Sequence, residues 1–228
     1  MNRLIIHNIK SIYSQNNYAP VKGGDMRDIS VINQPYVMID DGIITKIGTG
    51  YFQELVNQDT EIFDANQCIM IPGLIDSHTH LVHGGSREQE FSKKIAGVPY
   101  LEILASGGGI LNTVEATKKA SFDELFNQAK KSLDLMLLFG VTTVEVKSGY
   151  GLDLKTEIKQ LKVAKALNES HPIDIHTTYL GAHALPKEYK DKRSEYIDKI
   201  LNDLAVIYEN DLAEYADVFC ETGVFTAA

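Results

Sequence analysis

Cysteine is scarce in this chain: Cys68 and Cys220 are the only two among 228 residues. Thiols so far apart in sequence exclude a disulfide framework and read as reduced side chains of a cytoplasmic protein. Long apolar runs are absent as well. No stretch approaches the ~18 consecutive apolar residues of a membrane-spanning helix. The opening Met1-Asn2-Arg3-Leu4-Ile5-Ile6-His7-Asn8 lacks the apolar core and small-residue cleavage site of a secretory signal. Basic clusters are missing too, and the net charge is −9. That balance argues against nucleic acid and against anionic membrane surfaces as partners. Neither an internal repeat nor a low-complexity tract occurs. What remains is an ordinary globular composition, 44% hydrophobic and 23% charged.

Residues 1 to about 65 read as short strands and turns. Leu4-Ile5-Ile6 is one strand, and residues 10–30 are polar enough to be loop. Tyr36 to Ile39 runs into Asp40-Asp41-Gly42 and then Ile43 to Ile47, a hairpin with Asp-Gly at its tip. This small β region needs a sheet completed by another segment. From residue 66 the pattern becomes strands alternating with amphipathic helices. Strands are expected over 68–75, 141–146, 173–179 and 216–220. Ser121-Phe122-Asp123-Glu124 has the form of a capping box. Leu125, Ala129, Leu133 and Met136 follow at helical spacing, and Gly140 stops the helix. Further helices are expected over roughly 155–168 and around Ile197 to Ile207.

Such alternation implies a parallel sheet with right-handed crossovers, either a (β/α)8 barrel or an open doubly wound sheet. His78, His80, residues 147–151, His183 and Glu221 all fall at or just past the C-terminal ends of the strands, the face that carries active sites in barrels. No glycine fingerprint follows the first strand, as a doubly wound dinucleotide fold would show. The expected fold class is therefore α/β. Residues 1–65 are a β-sandwich segment, the N-terminal part of a composite sandwich domain. Residues 66–228 are the first half of a TIM-like barrel. A whole barrel takes about 250 residues, so the chain reads as incomplete.

The most informative stretch is Ile71-Pro72-Gly73-Leu74-Ile75-Asp76-Ser77-His78-Thr79-His80. Residues i and i+2 of a strand share a face, so His78 and His80 present two imidazoles side by side. Neutral imidazole is the commonest metal ligand among side chains, and zinc accepts it readily. An exposed turn with two nearby histidines is the bland alternative. The preceding apolar strand and the neighbouring Asp76 favour the metal.

The motif Pro72-Gly73-x-x-Asp76-x-His78-x-His80 resembles the first-strand signature of the metal-dependent amidohydrolase superfamily. Five further segments, 81–88, 105–110, 146–152, 179–186 and 218–226, resemble the imidazolonepropionases. They include His83-Gly84-Gly85-Ser86-Arg87, Ser148-Gly149-Tyr150-Gly151 and Gly181-Ala182-His183. The resemblance implies hydrolysis of the cyclic amide of 4-imidazolone-5-propanoate to N-formimidoyl-L-glutamate, a step of histidine degradation. It implies one metal ion, zinc or iron, on His78 and His80. It makes Arg87, Tyr100, Tyr150 and His183 substrate contacts. His183 is also the catalytic residue, hydrogen-bonded to the ring carbonyl, where it could stabilise the developing oxyanion. Arg87 suits the propanoate tail because a guanidinium meets a carboxylate in bidentate fashion. Without the resemblance, Arg87 reads as a surface residue paired with Glu88 or Glu90 and His183 as a structural histidine, whereas Tyr150 stays open between a ligand contact and a rim-packing tyrosine. His83 is left out, because its odd spacing from His80 turns it to the other face of a continued strand. His7, His171 and His176 are left out as well.

In the resembled family the metal site is completed by a histidine and an aspartate from later strands, which this chain does not contain. The polypeptide is therefore expected to be inactive alone. Its partner is a small-molecule substrate, with neither nucleic acid nor membrane, and a homodimer could cover the open edges of a half barrel. Two other readings stay open: another cyclic amidohydrolase or a deaminase, or a non-catalytic, truncated metal-binding fragment.

Overall fold

The structure, a computed structural model, describes residues 2–15, 20–99, 102, 109–221 and 225–226. It divides into two compact units, Met1–Pro72 and Gly73–Ala228. Among the described residues, no helix is long and apolar enough to cross a membrane.

The first unit holds two sheets. Strands β1 (Arg3–His7), β4 (Pro35–Asp40), β5 (Ile43–Thr49) and β6 (Thr60–Asp64) form one, in the order β5-β4-β1-β6. Strands β2 (Ser11–Gln15), β3 (Ile29–Asn33) and β7 (Ile69–Met70) form the other, in the order β3-β2-β7. Ile9, Ile12 and Val37 are buried together, with Ile6, Ile32, Ile39 and Met70 packed against them. Both sheets contribute to this core, as in a sandwich. The β4–β5 hairpin turns at Asp41 and Gly42, with φ of 49° and 84°, the left-handed pair that a two-residue type I′ turn requires.

Two expectations need correction. The polar stretch 10–30 is not all loop, because Ser11–Gln15 is strand β2. Its ladder partners β3 and β7 hold it; of its own residues only Ser11 and Ile12 are buried. The strand expected over 68–75 is broken. Ile69–Met70 pairs with Ser11 and Ile12, whereas Leu74 begins a different sheet. Pro72 cannot donate to a ladder. Gly73 lies so close to Thr142 that a Cβ there would sit 2.0 Å from Thr142 Oγ1.

The second unit is built on β8 (Leu74–Thr79), β9 (Val141–Lys147), β10 (Asp174–Ala182) and β11 (Tyr215–Val218). All neighbours are parallel, and the order β11-β10-β9-β8 follows the chain without reversal. Each crossover thus adds the next strand on the same side. A doubly wound sheet reverses at its binding crevice, whereas an unreversed run is a barrel wall. The unit is the first half of a (β/α)8 barrel. Helices α1 (Glu88–Ile95), α2 (Ile110–Lys119) and α3 (Phe122–Leu138) lie between β8 and β9. Helix α4 (Leu154–Ser170) joins β9 to β10, and α5 (Arg193–Glu209) joins β10 to β11.

Helix α3 starts at the capping box. The Glu124 amide donates to Ser121 Oγ at 3.2 Å, and the Ser121 amide donates to the Glu124 carboxylate at 2.8 Å. Leu125, Ala129 and Leu133 then pack on Val144 and Val146 of β9 and on Val163, Ala164 and Leu167 of α4. Because Val144 and Val146 face the helices, alternation turns Thr143, Glu145 and Lys147 to the inner face of the curled sheet. There Lys147 donates to Glu145 at 2.6 Å and to Asp217 at 3.0 Å, and Thr178 donates to Glu145 at 2.6 Å. Burial opposes the charge on Lys147, but these two carboxylates hold it above the usual lysine range.

Leu133 is fully buried whereas Leu138, on the same helix, is 81% exposed. Leu133→Ala should cost about 2–5 kcal/mol of unfolding free energy, and Leu138→Ala less than about 0.5 kcal/mol. Urea unfolding measures both, and equal costs would contradict the packing described.

Candidate active site

Each strand of the half barrel delivers an aromatic ring just past its C-terminal end. His78 lies within β8 and His80 one residue beyond it, with ring centroids 5.9 Å apart. The His80 Nδ1 is 3.0 Å from the Ser148 carbonyl oxygen. A carbonyl only accepts, so Nδ1 carries the hydrogen and the Nε2 lone pair is free for a ligand.

Strand β9 ends at Lys147 and runs into Ser148-Gly149-Tyr150-Gly151-Leu152. Gly149 has φ 104°, and a Cβ there would lie 2.9 Å from both His183 Nδ1 and the Leu180 carbonyl oxygen. Only glycine fits. Tyr150 projects beside the two histidines, its ring 4.8 Å from His80 and 5.3 Å from His183. After β10, His183 stacks on His80 at 4.5 Å with 7° between the rings. Its Nδ1 is 2.9 Å from the Gly149 carbonyl oxygen. After β11, Phe219 meets His183 edge-on at 6.0 Å.

Arg87 stands at the entrance to α1. Its Nε donates to Glu90 at 2.9 Å, and the other Glu90 oxygen accepts from the Gly109 amide at 2.8 Å. Arg87 and Tyr150 border the same cleft of about 280 Å³, which His83, Ser86 and Thr113 also line.

Five of the six site residues expected from the sequence thus lie in or beside one cluster: His78, His80, Arg87, Tyr150 and His183. Tyr100 lies outside the described residues. Arg87 pairs with Glu90 and also borders the cleft. His83, left out on sequence grounds, also lines this cleft, its ring 6.1 Å from Tyr150. The parity argument against it assumed a strand beyond Thr79, where the strand in fact stops. The excluded histidines lie elsewhere: His7 packs on Phe52, His171 meets Asp134, and His176 pairs with Glu214.

Electrostatics keep the rings neutral. Burial foremost, then the proximity of His183, pushes His80 down from 6.5 to about 4. Burial also lowers His183, against the pull of the Gly149 carbonyl. Burial raises Tyr150, opposed by Arg87, so the phenol stays protonated.

Among the described residues, no group of three or more His, Cys, Asp or Glu side chains is arranged to hold a metal. What is present is a pair of imidazoles on one strand end, one with Nε2 free by virtue of its Nδ1 hydrogen bond. That donor chemistry fits part of a zinc or iron site.

The unfolded chain takes up a proton on His80 between pH 6.5 and about 4 that the folded chain refuses. Stability should therefore fall as pH drops through that window, by up to roughly 3 kcal/mol from this residue. His80→Gln should flatten the fall when unfolding is compared at pH 7 and pH 4.5. An unchanged slope would refute the buried, neutral state of His80.

No family model matches the chain. Among solved structures, a 5-methylcytosine deaminase from Klebsiella pneumoniae is similar with a TM-score of 0.54 at 14% identity, over 95% of this chain and 51% of that one. A guanine deaminase from C. acetobutylicum is similar with a TM-score of 0.51 at 13% identity, over 87% of this chain and 43% of that one. At such identities these are likenesses of fold. Curated sequences are far nearer. The chain is 53% identical over 210 residues to an imidazolonepropionase of Streptococcus pyogenes serotype M6, covering 91% of this chain and 50% of the relative. It is 51% identical over 212 residues to one of Alkaliphilus metalliredigens, covering 92% and 50%. It is 50% identical over 227 residues to one of Streptococcus gordonii, covering 98% and 54%. Over nearly its whole length the chain is thus similar to the imidazolonepropionases at 50–53% identity, and it spans about half the length of the curated relatives it matches.

Proposed function

We propose that this chain carries the substrate-holding residues and the first two metal ligands of a hydrolase that opens 4-imidazolone-5-propanoate. Water adds its oxygen to the ring carbonyl carbon, the C–N bond breaks, and the nitrogen takes the proton, giving N-formimidoyl-L-glutamate. The observation that carries this reading is the convergence of His80, Tyr150 and His183 from three successive strand ends, with Arg87 lining the adjoining cleft that Tyr150 shares.

His78 and His80 would hold one zinc or iron ion, which when bound polarises the carbonyl and lowers the pKa of water. Arg87, with Nε engaged by Glu90, keeps terminal N–H groups for the propanoate carboxylate. Tyr100 is a second contact for that tail. Tyr150, a neutral phenol, closes one side of the ring site. His183 is the catalytic residue. With its Nδ1 hydrogen committed to Gly149, the neutral ring offers a lone pair at Nε2, suited to a ring N–H of the substrate. Donation to the carbonyl oxygen would need the protonated ring, which burial disfavours. Residues 1–228 do not turn over substrate by themselves, because two histidines fall short of the three protein ligands usual for catalytic zinc.

Calorimetry with a stable, propanoate-tailed imidazolone analogue and the zinc-loaded chain tests the reading. Binding should weaken at least tenfold in Arg87→Ala, while a tail-less ring should bind both forms equally. Equal binding of the tailed analogue to both would sink the assignment of Arg87, and with it the acidic substrate. Ring opening at the rate of a full-length relative would overturn the claim that this chain is inactive alone.

A further inference from the structure

We propose that Glu157 is a positioning residue whose buried carboxylate sets the 148–152 loop so that its carbonyls hold both His80 and His183 with hydrogen on Nδ1. Glu157 sits in the first turn of α4 and is 1% exposed. One carboxylate oxygen accepts from the Gly149 amide at 2.8 Å. The other accepts from the amides of Gly151 at 2.7 Å and Leu152 at 2.8 Å. Three backbone donors thus converge on a single buried group from an element that carries no ligand itself.

The peptide unit between Ser148 and Gly149 makes the connection direct. Its N–H points to Glu157 and its C=O accepts from His80 Nδ1 at 3.0 Å. A carboxylate on the N–H side polarises the peptide and makes its carbonyl a better acceptor. The next carbonyl, that of Gly149, accepts from His183 Nδ1 at 2.9 Å. Two successive carbonyls of one loop thus fix the tautomers of two stacked rings and leave both Nε2 lone pairs for ligands. The loop needs such a brace, because Gly149 and the non-glycine Leu152 both have positive φ, 104° and 56°, conformations that persist only when the surroundings impose them.

In Glu157→Gln one terminal oxygen becomes an NH₂ group, which cannot accept. Either the Gly149 amide or the Gly151–Leu152 pair then faces a donor. Glu157→Asp keeps the charge but falls one methylene short of the loop.

The test is ¹H–¹⁵N multiple-bond NMR of the imidazoles in the 228-residue protein at neutral pH, with zinc titrated afterwards. In the unsubstituted protein His80 and His183 should both show a protonated Nδ1 and a lone pair at Nε2. In Glu157→Gln and Glu157→Asp at least one of the two should become a tautomer mixture, with His7 and His171 unchanged, and zinc affinity should drop about 10–100-fold. Hydrogen on Nε2 of either ring in the unsubstituted protein would overturn the proposal whether or not the variants fold. Unchanged tautomers and zinc affinity in a folded variant would do the same. The bearing on catalysis rests on the hydrolase reading above, and the two fail separately. Correct tautomers without zinc binding would sink the metal site and leave the role of Glu157 intact.

Discussion

Four parallel strands laid side by side in chain order return the backbone to the same edge of the sheet four times. Everything at the site follows from that constraint. His80, Tyr150, His183 and Phe219 are far apart in sequence, yet each is one to three residues past the end of a neighbouring strand. The strand ladder sets neighbours about 4.8 Å apart, and the loops past the strand ends draw the rings closer still, since His80 after β8 stacks at 4.5 Å on His183 after β10, two strands away.

Such a site must keep its charges in check. Burial disfavours protonation of His80 and His183, and the nearby His183 adds to this at His80. Deeper on the inner face, Lys147 is buried but paired with Glu145 and Asp217, as a buried cation must be. Two buried glutamates do the same for the loops. Glu90 ties Arg87 to the Gly109 amide, and Glu157 ties down the loop that carries Tyr150. Rigid helices thereby support functional side chains that themselves sit on irregular backbone.

Much of this was legible in the sequence. His78 and His80 at the end of an apolar strand, the Ser121–Glu124 capping box and the Asp41-Gly42 hairpin are local signals with local causes. The barrel class followed from where the polar residues fall relative to the strands. The illegible parts depend on contacts from elsewhere in the chain. Strand β2 is held by its ladder partners. The break at Pro72-Gly73 reflects the closeness of Thr142. His83 was excluded by assuming a strand that stops at Thr79. Glu157, in Thr156-Glu157-Ile158-Lys159, looks like any helical surface glutamate, because the loop that buries it comes from the preceding strand end. Tyr100 lies outside the described residues.

The most direct test of the account is a crystal structure of the chain with zinc and a propanoate-tailed ring analogue. The account predicts zinc about 2.0–2.1 Å from Nε2 of both His78 and His80, with the analogue's ring against Tyr150 and His183 and its carboxylate on Arg87. Zinc bound elsewhere, or an analogue that leaves Arg87 and His183 untouched, would contradict it.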